Sequence, residues 1–496
     1  MSAVDSDATI RIAAGEDTWP AQGTGAESTT FAYPLNVNVY EPLIYLGSDY
    51  TLRPGLAESW EFVDGKTWRF HLRKGVTFHD GSEFDADDVM WSWAERQMEG
   101  QTLSTVTNTL GPKSVQKVDQ YTVDFTPKVT NLRLTEQIVH PEGAIVPEGK
   151  HFDSEPAVGT GPFKVIEYKA GQNVAVERNE DYWGEKPKAK RLDIRFLPDP
   201  QTRIEALQAR SVDFVVDLPA TATSAIESDP SLKVVRSPVG RNQLIYINIT
   251  GEKPHDLGAE PAVREAVAVA IDRQSYVDVA FEGNAEPGRW MAPPFALGDS
   301  ADIVQPVPYD PDRAREVLDA AGWTPGPDGI RSKDGRPLKL TLIGWAEVTD
   351  ASFQFLQAQL KEVGIQVTIK KAPDAPTYST FYQNTEFDLD LEVPNQNDGN
   401  PAFLPVLRMY SKNEGTERFA PGGEFDTWAE RALSATDAEE VRAASAEMMR
   451  ILINEEHIVV PLAGIFRLYG MAADVDLGDP HPSQTNQLWT SLAKSA

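Results

Sequence analysis

Leu338-Lys-Leu-Thr-Leu-Ile343 alternates apolar and polar residues; from Asp350 onward Phe353, Leu356, Leu360 and Val363 recur at helical spacing; then come Gly364 and Ile365-Gln-Val-Thr-Ile369. Alternation at period two belongs to a strand with one buried face, and apolar residues three and four apart share one face of a helix. Asp350 can accept the first free amide hydrogens of that helix, and Gly364 can take the left-handed backbone that ends it. Two short strands joined by an amphipathic helix pair in parallel through a right-handed crossover. This stretch decides for an α/β fold.

A second unit of the same kind lies about 150 residues earlier. Leu192-Asp-Ile-Arg-Phe-Leu197 alternates, a helix is predicted from Pro200 to Ala209, and Val212-Asp-Phe-Val-Val216 is the next strand. Their separation puts the two units in different lobes. Further helices are predicted from Pro261, with Val263, Ala266, Val267, Ala270 and Ile271 facing inward, and from Pro311, capped by Asp310 and closed by Gly322. Both serve packing.

Between these regularities the chain changes texture. Thr67-Trp-Arg-Phe-His-Leu72 and Tyr121-Thr-Val-Asp-Phe125 alternate, His79-Asp-Gly81 reads as a turn, and Asp85 with Asp88 makes a capping pair for a helix carrying Val89 and Trp93. We expect a smaller α+β domain here. The expected division is residues 1–47 and 158–245 in lobe one, 48–157 as the insertion, 246–469 as lobe two, and 470–496 returning to lobe one.

The 496 residues are 41% hydrophobic and include 11 tryptophans and 20 phenylalanines, enough for large cores. A net charge of −29 argues against a nucleic-acid partner or an anionic membrane face, both of which attract basic surfaces. The absence of cysteine removes disulfides and thiolate chemistry. No stretch is apolar enough to span a bilayer; the run Ile458 to Phe466 is interrupted by Pro461 and Gly464. The start, Met1-Ser-Ala-Val-Asp-Ser-Asp, has no leader character, so the chain reads either as cytoplasmic or as a mature protein whose leader has been removed.

Catalytic patterns are missing: there is no Gly-x-Ser-x-Gly elbow, His-Glu-x-x-His or P-loop. Gly23-Thr-Gly25 and Gly159-Thr-Gly161 lack the third glycine of a nucleotide loop and read as turns. The seven histidines include no pair spaced for one helical face, and acidic pairs are inevitable among 75 acidic residues. No catalytic residue, metal or cofactor is expected. Binding is better signalled, because open α/β sheets take ligands beyond the carboxyl ends of their parallel strands. Gly344-Trp345 follows one such end, and the strand Phe387 to Val393 runs into Pro394-Asn-Gln-Asn-Asp-Gly-Asn-Pro401, rich in amides that both donate and accept.

Several longer segments resemble a known family. Tyr40-Glu-Pro-Leu43, Leu52-Arg-Pro-Gly-Leu-Ala-Glu-Ser-Trp60, Trp68 to Phe84, Ala86-Asp-Asp-Val89, Val158-Gly-Thr-Gly-Pro-Phe-Lys-Val165, Asn179-Glu-Asp-Tyr-Trp183, Val263 to Asp272 and Tyr309 to Trp323 are similar to the signature of family 5 solute-binding proteins. These bind oligopeptides, dipeptides, nickel, opines and oligosaccharides for ABC importers. The resemblance implies an α/β, two-lobed periplasmic-binding-protein-like fold (type II, cluster C) with an additional inserted α+β domain. It also implies an extracytoplasmic protein, lipid-anchored in its precursor, that works as a monomer with permease subunits and captures a small organic solute by hinge closure. Trp68, Arg73 and Asp80 are then structural members of the inserted domain.

Peptide binders of this family commonly carry an Asp that pairs with the peptide amine in an Asp-Tyr-x-Asp-Pro segment. The matching stretch here is Asn397-Asp-Gly-Asn-Pro401, so aligned on Pro401 the acid becomes Asn397, although a one-residue shift restores Asp398. An amide leaves a buried ammonium unpaired. The expected ligand is therefore a non-peptide, an aromatic amide or hydrazide or an oligosaccharide. The expected lining is Tyr33 and Asn36, Arg241 and Asn242 ahead of a lobe-bridging strand Leu244 to Ile249, Trp290, Trp345, Asn395, Asn397, Asp398 and Phe403. The alternatives are an oligopeptide-binding protein, a hydrolase on the same scaffold, and a peptide-binding sensor.

Overall fold

The computed structural model describes residues 4–15, 32–98, 110, 114–128, 131–139, 143–151, 156–346, 348–394, 400–483 and 487–495, without the side chains of 32–34 and 94–98. The chain divides into two compact units, one built from Met1–Pro238, Asn397–Asn400 and Arg467–Ala496, the other from Val239–Gln396 and Pro401–Phe466. Each has its own sheet and core.

In the first unit the described residues form a seven-stranded sheet. Its centre is Thr9–Ala14, which pairs in parallel with Arg191–Phe196 on one side (Ile12 opposite Ile194) and with Phe214–Val215 on the other (Ile12 opposite Phe214). The two predicted strands are thus parallel, but Thr9–Ala14 lies between them and the second is only two residues long. The helix Pro200–Gln208 connects them. Asp199 caps it through Thr202 N at 2.7 Å, Pro200 occupies its first turn, and Ile204 and Leu207 are buried. Proline there costs nothing, because that amide has no helical partner.

A separate four-stranded antiparallel sheet in this unit runs in the order Ala57–Val63, Thr67–Leu72, Thr122–Phe125, Val115–Asp119. The helix Ala86–Met98 packs on it through Trp93, whose ring meets Phe125 edge-on at 5.2 Å, and Phe70 meets Phe125 at 5.0 Å. Its N-terminus is the predicted capping pair: Asp85 N donates to Asp88 Oδ2 at 2.8 Å and Asp87 N to Asp85 Oδ1 at 2.8 Å. Trp68 donates to Asn131 O at 2.9 Å, and Asp80 closes its turn by accepting from Ser82 N and Oγ.

The second unit holds a six-stranded sheet in the order Ala285–Pro287, Val459–Ile465, Arg241–Ile247, Leu389–Glu392, Lys339–Gly344, Gln366–Lys371. The stretch quoted first behaves as read: Lys339–Gly344 and Gln366–Lys371 are neighbouring parallel strands with Leu342 opposite Ile369. The helix between them, Asp350–Glu362, buries Phe353, Leu356 and Leu360 in one core with Leu340, Leu342, Leu389 and Leu391. Its cap is Thr349, one residue before the expected Asp350; the Thr349 hydroxyl accepts from Ser352 N at 3.3 Å, and Asp350 sits in the first turn, favourable to the helix dipole. Gly364 ends the segment at φ +88°. A second correction concerns Arg241 and Asn242, which lie inside the strand Arg241–Ile247 because its pairing with Val459–Ile465 begins at Arg241. No helix among the described residues is long and apolar enough to cross a membrane.

Candidate functional site

In the second unit the strand Leu389–Glu392 is buried on both faces. Leu389 and Leu391 join the core, so Asp390 and Glu392 are directed to the opposite face, with Asp388 two residues earlier. Burying carboxyls is costly unless each finds partners, and here each does. Asp388 Oδ2 accepts from Thr341 N at 2.7 Å and lies 3.0 Å from His255 Nδ1. The Tyr378 hydroxyl lies 3.0 and 2.9 Å from the two oxygens of Asp390 and also touches Glu392 Oε1. Glu392 Oε2 pairs with Arg408 at 2.5 Å, and the Arg408 guanidinium lies 4.8 Å from the centre of the Tyr246 ring.

The electrostatics follow from that packing. Burial, reinforced by the Glu392 charge, pushes the Asp390 carboxyl well above the usual carboxylate range. Burial works against the Arg408 cation, but Glu392 and the surrounding tyrosines outweigh it and hold the guanidinium above its ordinary value. Burial also raises Asp388.

The carboxyl end of this strand, the carboxyl end of Lys339–Gly344 and the start of Arg241–Ile247 fall on one edge of the sheet, since Leu244 stands opposite Glu392 and Ile343 opposite Asp390. Arg241 reaches across that edge, and its NH2 group donates to Val393 O at 2.8 Å. Trp345, half-buried, follows Gly344 at the same edge. The other predicted residues of this unit are placed differently. Asn242 is 4% exposed, and its amide donates to Met291 O at 3.3 Å. Trp290 donates to Ala301 O at 2.9 Å, carries Arg289 over its ring at 4.6 Å, and lines a pocket of about 470 Å³ with Arg273 and Tyr309. Phe403 is half-buried at the first position of the helix Phe403–Met409, which also supplies Arg408. Asn395, Asn397 and Asp398 lie outside the described residues.

In the first unit, the helix Ala32–Val39 carries Tyr33, whose side chain is outside the described set, and Asn36. Asn36 is 6% exposed, and its Oδ1 has no hydrogen-bond partner among the described residues. Next to this helix is Glu41, fully buried. Its Oε1 accepts from Tyr45 at 2.9 Å and Tyr182 at 2.7 Å, and its Oε2 from Trp183 Nε1 at 2.7 Å. Burial raises the Glu41 carboxyl, and these donors oppose the rise. Arg73 lies 4.2 Å over the Trp183 ring. Three of the sequence segments quoted above, those containing Glu41, Arg73 and Tyr182-Trp183, therefore meet in one cluster. It borders a pocket of about 660 Å³ that Tyr45, Trp183, Arg53 and His481 help to line.

Glu41, Asp390, Glu392, Tyr378 and Arg408 were absent from the sequence-based site. A signal was present for two of them: acids at alternate positions of a strand whose other residues are leucine mark a face that must be paired or wet.

Two α/β units, each organised around a largely buried sheet, are the plan of a periplasmic solute-binding protein. The chain belongs to the bacterial extracellular solute-binding proteins, family 5, whose model (its middle region) matches residues 51–416. It is similar to the nickel-binding periplasmic protein of Escherichia coli K12, 29% identical over 389 residues, 71% of this chain and 72% of that protein. It is also similar to the oligopeptide-binding protein AppA of Bacillus subtilis, 31% identical over 349 residues, 66% of this chain and 63% of that protein. Among solved structures, NikA from Brucella suis in complex with Fe(III)-EDTA superposes with a TM-score of 0.85 at 23% identity, covering 98% of this chain and all of that one.

Proposed function

We propose that this protein is the substrate-binding component of an ABC importer, that it captures a small polar non-peptide solute outside the cytoplasm, and that it delivers the solute unchanged to a membrane permease. The family match over residues 51–416 supports the transport role. The named relatives bind ligands as different as nickel and oligopeptides, so the ligand class is read from this chain's own residues. Asn397 stands where peptide binders commonly carry an acid, and an amide there offers hydrogen bonds without the charge that an α-ammonium needs. Trp345 offers a stacking face and Arg241 a fork of donors at one sheet edge. Tyr33, Asn36, Asn395, Asp398 and Phe403 complete the proposed lining. An aromatic amide, a hydrazide or an oligosaccharide suits such a set.

Capture works by population shift. A ligand that touches both lobes only when they are shut favours the shut form by the free energy of those extra contacts. No covalent step is required, the protein acts as a monomer, and a lipid anchor in the precursor keeps it near the permease. The test is a thermal-shift and native mass spectrometry screen over di- to pentapeptides, oligosaccharides, opines and aromatic amides. We expect stoichiometric binding of an uncharged or weakly charged organic molecule recovered intact. Tight binding of peptides with a free amine would overturn the ligand class, and recovery of a converted product would overturn the transport role.

A further inference from the structure

The Asp390–Tyr378–Glu392–Arg408 cluster has too few hydrogens if both acids are ionised. Tyr378 carries one hydroxyl hydrogen, yet its oxygen lies within hydrogen-bond reach of both Asp390 oxygens and of Glu392 Oε1. Two carboxylates and one phenol would place a single hydrogen among three oxygen atoms that repel one another. One assignment puts a hydrogen between each pair of groups: Tyr378 donates to Glu392 Oε1, Arg408 neutralises Glu392 through its other oxygen, and a carboxylic acid hydrogen on one Asp390 oxygen is donated to the Tyr378 oxygen.

The charge balance agrees. The cluster sets two acids against one guanidinium, and the neighbouring charged groups are already engaged. His255 faces Asp388, Lys370 pairs with Glu386, and Arg418 lies 5.1 Å over the Tyr382 ring and donates to Thr385 Oγ1. Tyr246 presents its ring, not a charge, to Arg408. Burial and the charge of Glu392 act on Asp390 in the same direction, towards the neutral form.

We propose that Asp390 is a protonated acid in the folded protein at neutral pH, and that its hydrogen latches the helix Ala375–Gln383 to the sheet through Tyr378. That helix needs a polar latch because none of its residues is fully buried; Tyr378, Phe381 and Tyr382 pack only half-buried against the core. Loss of the hydrogen at high pH leaves two anions facing one cation, and the helix loosens. The latch is a property of this unit alone and stands whatever solute the protein carries.

The experiment compares wild type with Asp390→Asn. Infrared spectra recorded at about pH 7 should show a protonated-carboxyl band that the substitution removes. Hydrogen exchange of the 375–383 amides, corrected for intrinsic rate, should lose about tenfold protection between roughly pH 7 and pH 10 in wild type and stay level in Asp390→Asn. The amide can donate to Tyr378 as the neutral acid does, so this variant should fold. Absence of an Asp390-dependent band, equal pH dependence in the two proteins, or failure of Asp390→Asn to fold would each overturn the proposal. Glu392→Gln is the control: it strands the Arg408 charge and should raise exchange already at neutral pH.

Discussion

Arg11 grips Asp213 with both arms of its guanidinium side, Nε to Oδ2 and NH2 to Oδ1, each at 2.8 Å, while the Arg11 backbone amide donates to Oδ2 at 3.0 Å. Lys494 adds a third cationic contact at 2.9 Å. Asp213 is wholly buried and ties Thr9–Ala14 to the chain's C-terminal residues. Although burial alone would raise it, these bonds hold the Asp213 carboxyl down at about 2. A depressed acid contributes stability that is present above its unfolded value near 4 and lost as pH falls through the folded one. The first unit should therefore weaken on acidification between about pH 4 and pH 2. Asp213→Asn, which leaves two cations without their anion, should cost about 3 kcal/mol in denaturant unfolding at neutral pH. An unchanged midpoint would remove this ion pair from the stabilising set.

Glu41 makes a different kind of node, an acid held by neutral donors. Glu41→Gln brings an amide hydrogen against Tyr or Trp donors and should cost about 1–3 kcal/mol. Tyr182→Phe should cost less, about 1 kcal/mol, since Tyr45 and Trp183 keep their bonds to Glu41. In a double-mutant cycle the two losses should be less than additive, read by urea midpoint. Full additivity would mean that the tyrosine acts elsewhere.

Gly159 and Gly161 read as a plain turn in the sequence, and the structure gives the turn a steric reason. A Cβ on Gly159 would lie 2.1 Å from Val39 O, and one on Gly161 2.7 Å from Asn38 O, both backbone atoms. Gly159→Ala should therefore destabilise by about 3 kcal/mol. Gly171→Ala, where φ is +69° but the space is open, should cost only about 1 kcal/mol from backbone strain. Equal thermal shifts for the two would show that the close approach to the helix Ala32–Val39 is not needed.

Much of the fold was legible because it rests on local periodicity. Gly364, Pro311 and the Asp85–Asp88 pair mark element ends by chemistry internal to a few residues. What escaped was set by distant partners. Thr9–Ala14 is as long as the strands that were read, but both of its parallel partners lie far along the chain, so nothing local places it between Arg191–Phe196 and Phe214–Val215. Thr349 and Asp350 are both competent caps, and only the geometry of the turn selects between them. The site was less legible for the same reason. Asn242 looks like a loop amide until the strand Arg241–Ile247 turns it to Met291, whereas Glu41 gains its meaning only when residues 141 and 142 positions away arrive beside it.

Trp345 and Arg241 carry the proposed binding edge of the second unit, and both can be changed without opening the core. Trp345→Ala and Arg241→Ala should each weaken solute binding by about ten- to a hundredfold, the loss of one stacking or one charge-assisted contact, while the melting temperature of the unliganded protein moves little. Isothermal titration with the solute found by the screen reads this directly. Loss of fold, or unaltered affinity in both variants, would place the solute elsewhere.

The most direct measurement for the central claim is native mass spectrometry of the protein mixed with peptide and non-peptide candidates in competition. We expect a single adduct of one non-peptide molecule per chain, released on activation at its original mass, with peptides excluded. An adduct of a free-amine peptide, or release of a mass differing from that added, would contradict it.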